Sequence, residues 1–222
     1  MLITGLHGLL VGPPGLSIVT DDAVLRGRTA AVMERLVELC AAMGGRYLVH
    51  GSPRQRSVPA GATREQAWER ARETLERAAR RAQACGVAYC LEPLAPAETD
   101  LFNTVAEAVR MVEEIANPAF KTMVDCSAAG QAEQEPVHEL MARWIPPGHI
   151  AHVQVNDPNR RGPGQGAMDF APILRTLGEM QRQGHYNGTI AVEPFDYVPD
   201  GPGCAARAVG YLRGVLQGIG HG

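Results

Sequence analysis

Residues 87–125, VAYCLEPLAPAETDLFNTVAEAVRMVEEIANPAFKTMVD, form a complete strand–helix–strand pattern that decides the fold class. VAYCLEPL (87–94) and FKTMVD (120–125) are short apolar runs typical of buried strands, and a helix is predicted between them at 104–116. Two strands joined through a helix run parallel, and the crossover between them is right-handed. This stretch therefore predicts an α/β fold.

The same alternation extends along the whole chain, with a strand-to-strand repeat of about 30–40 residues. The other predicted strands are LITGLHGLL (2–10), RYLVHG (46–51), HIAHVQVND (149–157) and GTIAVEPF (188–195). The other predicted helices cover 23–43, 64–85, 135–145, 169–184 and 203–218. Six parallel strands are expected in total.

Two architectures fit this order of elements: an open doubly wound sheet and a (β/α)8 TIM barrel. A dinucleotide-binding sheet would have a GxGxxG turn after its first strand, but GLHGLLVGPPG (5–15) has prolines there. The barrel is therefore favoured, although eight βα units usually take about 250 residues. No linker or low-complexity tract divides the chain, so residues 1–222 are expected to form a single barrel domain.

Composition excludes several classes of protein. A net charge of -3 argues against a nucleic-acid partner, which usually requires a basic face. No apolar run approaches the ~20 residues that span a bilayer, so no membrane partner is expected. The N-terminus lacks the pattern of a signal peptide, and the five cysteines are scattered without CxxC spacing. A cytoplasmic location with reduced thiols is the simplest interpretation.

Polar residues occur where four consecutive strands end. These are Glu92, Asp125, Gln154 and Glu193, separated by 33, 29 and 39 residues. Active sites of barrels lie at the C-terminal ends of the strands, and three carboxylates with one amide oxygen form a hard metal site. Such a site suits Mn²⁺, with Mg²⁺ or Co²⁺ as alternatives. A single acid at a strand end is more often a helix N-cap or an ion-pair partner, but four in register favour the metal.

Several segments resemble the xylose-isomerase-like barrel superfamily, and its ketose 3-epimerase and hydroxypyruvate isomerase members most closely. They are LEPL (91–94), MVD (123–125), HVQVND (152–157), GPGQG (162–166) and VEPF (192–195). The resemblance extends over residues 2–218. It matches LITGLHGLL to the third strand of the family, so the first two βα units are expected to be absent.

The resemblance implies a divalent-metal isomerase or epimerase that acts on a small sugar or hydroxy-ketone through a metal-stabilised enediolate. The family holds its metal with Glu, Asp, His or Gln, and Glu, which match Glu92, Asp125, Gln154 and Glu193. Glu92 and Glu193 would also be the catalytic acid/base pair. One removes a proton next to the carbonyl, and the other returns it to the opposite face.

Four further residues are expected to bind substrate. Glu98 and Arg160 match family positions that contact substrate oxygens, and GPGQG after Arg160 is expected to be a flexible loop that could close over a ligand. His50 ends the second strand, and His152 lies on the same side of its strand as Gln154. The family usually has a histidine three residues after the Asp ligand, where this chain has Ala128, so the substrate class stays open.

Other functions remain possible. A lyase of the keto-inositol dehydratase type would begin with the same proton abstraction, and a non-catalytic metal- or sugar-binding barrel would lack turnover. An apurinic endonuclease is disfavoured, because it needs about three zinc ions, many histidine ligands and a basic face. The missing strands have three explanations: a truncated or misassigned start, which is favoured, a covering partner chain, or a fragment. A homo-oligomer is possible.

Overall fold

The computed structural model of the protein describes residues 2–220. Its strands are β1 (Gly5–Leu6), β2 (Tyr47–His50), β3 (Ala88–Leu91), β4 (Phe120–Asp125), β5 (Ile150–Val155) and β6 (Ile190–Val192). Its helices are α1 (Ala23–Ala42), α2 (Arg64–Cys85), α3 (Val105–Ile115), α4 (Cys126–Ala132), α5 (Val137–Trp144), α6 (Phe170–Arg182) and α7 (Gly201–Gly218). Each strand is followed by at least one α-helix, and a 3₁₀ turn at Pro53–Gln55 lies between β2 and α2.

The strands follow chain order in the sheet, β1-β2-β3-β4-β5-β6. The pairings of β1 with β2, β2 with β3, β3 with β4 and β5 with β6 are parallel. Sequential order is what short helical crossovers of one hand produce. The prediction of an α/β fold with six parallel strands is therefore confirmed.

The chain divides into two compact units, one ending at Thr122 and the other beginning at Met123, so β4 contributes to both. In the first unit, the helices α1 and α2 pack their small and aliphatic residues against β2 and β3. This core includes Met33, Val37, Leu48, Ala71, Leu75, Ala78, Tyr89, Leu91 and Phe120. In the second unit the buried apolar residues include Val137, Leu140, Met141, Val153, Val155, Phe170, Ile173 and Leu177.

The helix ends follow local sequence signals. Thr63 accepts a hydrogen bond from the backbone N–H of Gln66 and the Gln66 side chain bonds back to Thr63, which is a capping box at the start of α2. The same helix ends at Gly86, whose φ of 68° is a left-handed conformation that glycine adopts without strain. Within residues 2–220, no helix is both long and apolar enough to cross a membrane.

Two elements differ from the prediction. The first strand spans only Gly5–Leu6, because Gly8 has a positive φ of 67° and turns the chain before Leu9 and Leu10, which are buried in the turn. The helix α4 was not predicted. Its sequence, CSAAGQA, is too short for a periodic pattern, and it forms because the side chain of Asp125 caps its first turn.

Candidate functional site

Glu92 lies directly after β3 in the first unit, and it is 2% exposed. Its backbone N–H donates to the backbone oxygen of His50 at 3.1 Å, which ties the end of β3 to β2. His7 Nε2 lies 3.8 Å from Glu92 Oε2. A side chain at position 51 would overlap the Glu92 carboxylate, so Gly51 leaves the acid room. A carboxylate this buried requires a compensating polar or cationic group.

Arg56, which no sequence pattern identified, supplies part of this compensation. The residue is fully buried, and its Nη1 donates to the backbone oxygen of Glu92 at 2.7 Å. Burial lowers the pKa of Arg56 to about 10, while the charges of Glu92 and Glu98 act in the opposite direction. The guanidinium therefore stays protonated at neutral pH. No local signal could have found this arginine, because it lies in the polar stretch PRQRS (53–57), typical of an exposed turn.

His50, predicted to bind substrate, is the last residue of β2 and is fully buried. Its Nδ1 lies 2.6 Å from Tyr89 Oη, and the two rings meet edge to face. Burial, and then the charge of Arg56, lower the pKa of His50 to about 3, so the ring is neutral. Its Nε2 has no hydrogen-bond partner in the described part of the chain. The structure thus places His50 beside Tyr89, and a substrate contact stays a prediction.

Glu98 lies in the turn between β3 and α3 and is exposed. Its carboxylate accepts a hydrogen bond from the backbone N–H of Ala95 at 3.3 Å, and its own backbone N–H donates to the Ala95 oxygen at 2.9 Å. These two bonds hold the turn in a compact form. The carboxylate lies at the surface of this turn, and its contact with a substrate stays a prediction.

Asp125 is the last residue of β4 in the second unit, and it is 5% exposed. Its Oδ1 accepts from the backbone N–H of Ala128 at 2.7 Å, and its Oδ2 accepts from Asn156 Nδ2 at 2.8 Å. The acid is therefore the N-cap of α4, as a single strand-end acid often is. A carboxylate has about four acceptor sites, so a capping role and a ligand role are compatible, and the ligand role of Asp125 stays a prediction.

Gln154 and His152 lie on β5, and they are 3% and 1% exposed. Alternation along the strand puts both side chains on one face. The side-chain oxygen of Gln154 is buried and has no hydrogen-bond partner in the part of the chain that the structure describes. Leaving a buried acceptor unsatisfied costs about 1–3 kcal/mol, and a bound cation would remove that cost.

Glu193 follows Val192, the last residue of β6, and is half-buried. Its backbone N–H donates to the Val155 oxygen at 3.4 Å, and its backbone oxygen accepts from Asn156 Nδ2 at 2.9 Å. Asn156 is fully buried, and the strand-end pattern did not identify it. The available signal was the period of two in His152, Gln154 and Asn156, which puts three polar side chains on one face of an apolar strand.

Arg160 follows β5 and is exposed, with a φ of 70° that is uncommon for a residue other than glycine. Its backbone oxygen accepts from the N–H groups of Phe195 and Asp196, both at 2.9 Å. Its guanidinium lies 4.6 Å from the centroid of the Phe195 ring. The backbone of Arg160 is therefore tied to the segment that follows Glu193.

The loop that contains GPGQG (162–166) is anchored by one buried acid. Asp157 accepts hydrogen bonds from the backbone N–H groups of Gly166, at 3.1 Å, and Met168, at 2.9 Å. The Asp157 carboxylate thus connects the two ends of the loop. The flexibility of this loop and its closure over a ligand stay predictions.

Each unit thus presents predicted site residues at its strand ends. In the second unit, Asp125, Gln154 and Glu193 lie at or near the ends of three strands that are neighbours in the sheet, β4, β5 and β6. In the first unit, Glu92 lies beside His7 and Arg56. The second group offers oxygen ligands only, whereas Glu92 is the one oxygen ligand of the first group, beside two nitrogen-containing side chains.

Comparison with known proteins supports the resemblance seen in the sequence. D-psicose 3-epimerase of Ruminiclostridium cellulolyticum is 30% identical over 128 residues, which cover 58% of this chain and 41% of that protein. L-ribulose 3-epimerase of Mesorhizobium japonicum is 27% identical over 172 residues, 75% of this chain and 56% of that protein. The chain spans about half the length of these curated relatives.

The fold agrees with these matches. A solved structure of an L-ribulose 3-epimerase superimposes with a TM-score of 0.83 at 20% identity, covering 98% of this chain and 76% of that one. A family model described as a xylose isomerase-like TIM barrel matches residues 3–215. The α/β order of six parallel strands is the part of such a barrel that this chain contains. The chain therefore belongs to the xylose isomerase-like TIM barrel family.

Proposed function

We propose that this chain belongs to a divalent-metal isomerase or epimerase that acts on a small sugar or hydroxy-ketone. The single observation that carries the proposal is the side-chain oxygen of Gln154, which is buried and has no hydrogen-bond partner within residues 2–220. It lies on β5, which is between β4, whose last residue is Asp125, and β6, which Glu193 follows. A hard cation would satisfy this oxygen and the neighbouring carboxylates together.

The proposed ligands are Glu92, Asp125, Gln154 and Glu193, with Mn²⁺ the preferred ion and Mg²⁺ or Co²⁺ as alternatives. The donor set fits such an ion, because three carboxylates and one amide oxygen are all oxygen ligands. When bound, the cation would act as a Lewis acid that stabilises negative charge developing on the substrate oxygens.

Glu92 and Glu193 are the proposed acid/base pair. One carboxylate removes the proton from the carbon next to the substrate carbonyl, and the other delivers a proton to the opposite face, which inverts that carbon. Delivery to the neighbouring carbon gives aldose–ketose isomerisation instead. The two residues have different surroundings, since Glu92 is almost fully buried beside Arg56 and Glu193 is half-buried.

The names of the two curated relatives support this reaction class, because both are 3-epimerases of ketoses. The carbon that a ketose 3-epimerase inverts is adjacent to the carbonyl. We propose Glu98, Arg160, His50 and His152 as substrate contacts. Glu98 and Arg160 are exposed on ordered segments, whereas His50 and His152 would require the substrate to approach a buried strand face.

Ala128 keeps the substrate class open. It lies in the first turn of α4, where its backbone N–H donates to Asp125 Oδ1. Its methyl side chain offers no polar contact. A dehydratase acting on a keto-inositol would begin with the same proton removal and then expel hydroxide. It is therefore included as the alternative reaction in the test.

The test uses protein freed of metal with a chelator and then supplied with Mn²⁺ in D₂O. Ketoses, hydroxypyruvate and a keto-inositol are each incubated with the protein, and the deuterium that the recovered compound has taken up from the solvent is measured by NMR. Deuterium next to the carbonyl, dependent on Mn²⁺ and lost in Glu193→Gln, is the expected result. An ultraviolet-absorbing unsaturated product would identify the dehydratase. Absence of both in every substrate would refute the proposed chemistry.

Three further expectations stay predictions: a cytoplasmic location, a possible homo-oligomer and the absence of a nucleic-acid ligand. Light scattering of the purified chain measures the oligomer. A DNA-binding assay at low salt tests the last expectation, because non-specific binding to phosphates is strongest there.

A further inference from the structure

We propose that Asn156 is a positioning residue that holds the ends of β4 and β6 in the arrangement required for cation binding. The inference rests on the proposed function, because it assigns a role toward the proposed ligands Asp125 and Glu193. It goes beyond that function because Asn156 is not one of the proposed ligands and does not follow from the strand-end pattern.

The side chain of Asn156 connects three separate segments of the second unit. Its Nδ2 donates to Asp125 Oδ2 at 2.8 Å and to the backbone oxygen of Glu193 at 2.9 Å. Its Oδ1 accepts from the backbone N–H of Ser127 at 2.8 Å. Asn156 itself is fully buried. One amide therefore links the end of β4, the start of α4 and the end of β6 to β5.

The hydrogen-bond partners determine the orientation of this amide. The Asp125 carboxylate and the Glu193 carbonyl oxygen accept only, and the Ser127 backbone N–H donates only. The nitrogen must therefore point to Asp125 and Glu193, and the oxygen must point to Ser127. Both hydrogens on Nδ2 are used. An amide in this position cannot rotate without losing all three bonds.

The bonds define where the two acids lie. Asp125 is held through both oxygens, by Ala128 on one side and Asn156 on the other, so its carboxylate plane is fixed. Glu193 is held at this strand end through its main-chain N–H and carbonyl groups. The adjacent main-chain bond from Glu193 N–H to Val155 is long at 3.4 Å, so Asn156 adds a shorter tie at this strand end.

An aspartate at this position would have nearly the same shape and the opposite effect. It would place a carboxylate oxygen against Asp125 and against the Glu193 carbonyl, where the amide nitrogen now donates to both. Asn156→Asp therefore reverses the polarity of two contacts and adds no bulk. Outer partners of this kind typically alter metal affinity by about 10–100-fold.

The test measures Mn²⁺ affinity by isothermal titration calorimetry and by the Mn²⁺ electron paramagnetic resonance signal. We expect Asn156→Asp to weaken binding by about 10–100-fold. The matched control is Asn159→Asp in the following turn. Asn159 is exposed, and its Nδ2 donates to the backbone of Gln165 and not to a proposed ligand. The Mn²⁺ affinity of Asn159→Asp should therefore stay within about twofold of that of the original protein.

A second control separates positioning from loss of stability. Leu177→Ala opens a cavity under α6, where Leu177 is 3% exposed, and this residue takes no part in the hydrogen bonds between Asn156 and Asp125, Ser127 or Glu193. It should lower the melting temperature yet keep the Mn²⁺ affinity. If Asn156→Asp does not fold, Asn156→Ser, which can bond to fewer of the three partners, is compared in its place.

The outcomes are distinct. Weaker binding in the Asn156 variant alone supports the positioning role. Equal affinity in Asn156→Asp and the original protein, or an equal loss in Leu177→Ala, overturns that role and leaves the proposed function intact. Absence of Mn²⁺, Mg²⁺ and Co²⁺ binding in the original protein overturns both proposals.

Discussion

Arg56 Nη1 donates to the backbone oxygen of Glu92 at 2.7 Å, and the guanidinium that makes this bond is fully buried. A buried charge is tolerated where hydrogen bonds and opposite charges compensate for its lost hydration. Here the compensation comes from a main-chain oxygen and from the carboxylates of Glu92 and Glu98. The loop after β2 is thus held against the end of β3, where a proposed metal ligand lies.

Replacing this arginine should destabilise the protein. Arg56→Met keeps most of the buried volume but leaves the Glu92 oxygen without its charged donor, and a bond of that kind contributes about 1.5–3 kcal/mol. We expect the free energy of unfolding, measured with urea, to fall by that amount. Arg54→Met in the same turn is the control. Arg54 is exposed, so the urea concentration at the midpoint of unfolding should hardly change in this variant. Identical midpoints for both variants would contradict a stabilising role for Arg56.

His50 should make stability depend on pH. The pKa of His50 is about 3 in the folded protein, against an ordinary value of 6.5 that applies when the chain is unfolded. Between these values the unfolded chain binds a proton that the folded protein does not, so stability falls as pH decreases from 6.5 toward 3. Linkage predicts a loss of roughly 2 kcal/mol between about pH 7 and pH 5 from this residue.

The measurement is urea unfolding of the metal-free protein at several pH values. His50→Gln should show a shallower decrease of stability across this range, whatever its stability at neutral pH. His185→Gln, at an exposed position, should keep the original slope. The same slope in His50→Gln and the original protein would show that His50 does not stay neutral when folded.

Asp157 should control how often the loop at 158–168 opens. Asp157→Ala removes the acceptor for the N–H groups of Gly166 and Met168, and each charge-assisted bond is worth about 1.5–3 kcal/mol. Since about 1.4 kcal/mol is a factor of ten, local opening should increase at least tenfold. Trypsin cleavage after Arg160 and Arg161, followed by mass spectrometry, measures it.

The control for the loop is Asp169→Ala. Asp169 is exposed and caps α6 through the N–H of Ala171, so its removal weakens a helix end and leaves the Asp157 bonds in place. Cleavage after Arg160 and Arg161 should then remain close to the original rate. Unchanged cleavage in Asp157→Ala would mean that other contacts hold this loop.

Gly51 should be required for the Glu92 carboxylate to keep its place. A methyl group at position 51 would overlap Glu92 Oε2, which forces the acid or the loop to move. We expect Gly51→Ala to weaken Mn²⁺ binding by about tenfold, as displacement of a ligand support commonly does. Gly27→Ala is the control, because its new methyl group meets nothing within 4 Å and lies in α1. If both variants bind Mn²⁺ equally, the space at Gly51 is not needed for the site.

Periodicity in the sequence determined the kind of fold. The alternation of short apolar runs with helical stretches predicted parallel strands in chain order, and β4 spans residues 120–125 as predicted. Because neighbouring strands of such a sheet are consecutive in the chain, the residues that end them could also be identified. Asp125, Gln154 and Glu193 lie at or near the ends of β4, β5 and β6, and Glu92 follows β3. Their ligand roles, and the single barrel domain, stay predictions.

Contacts between distant segments were decided only by the tertiary structure. Arg56 lies among polar neighbours in the sequence, yet it is buried because the loop after β2 packs under the end of β3. Asn156 bonds to residues 29, 31 and 37 positions away, a relationship that no local pattern contains. Local sequence determines backbone conformation and which face is apolar. Which polar groups meet inside depends on how whole segments pack, because a buried donor is stable only where an acceptor from another segment reaches it.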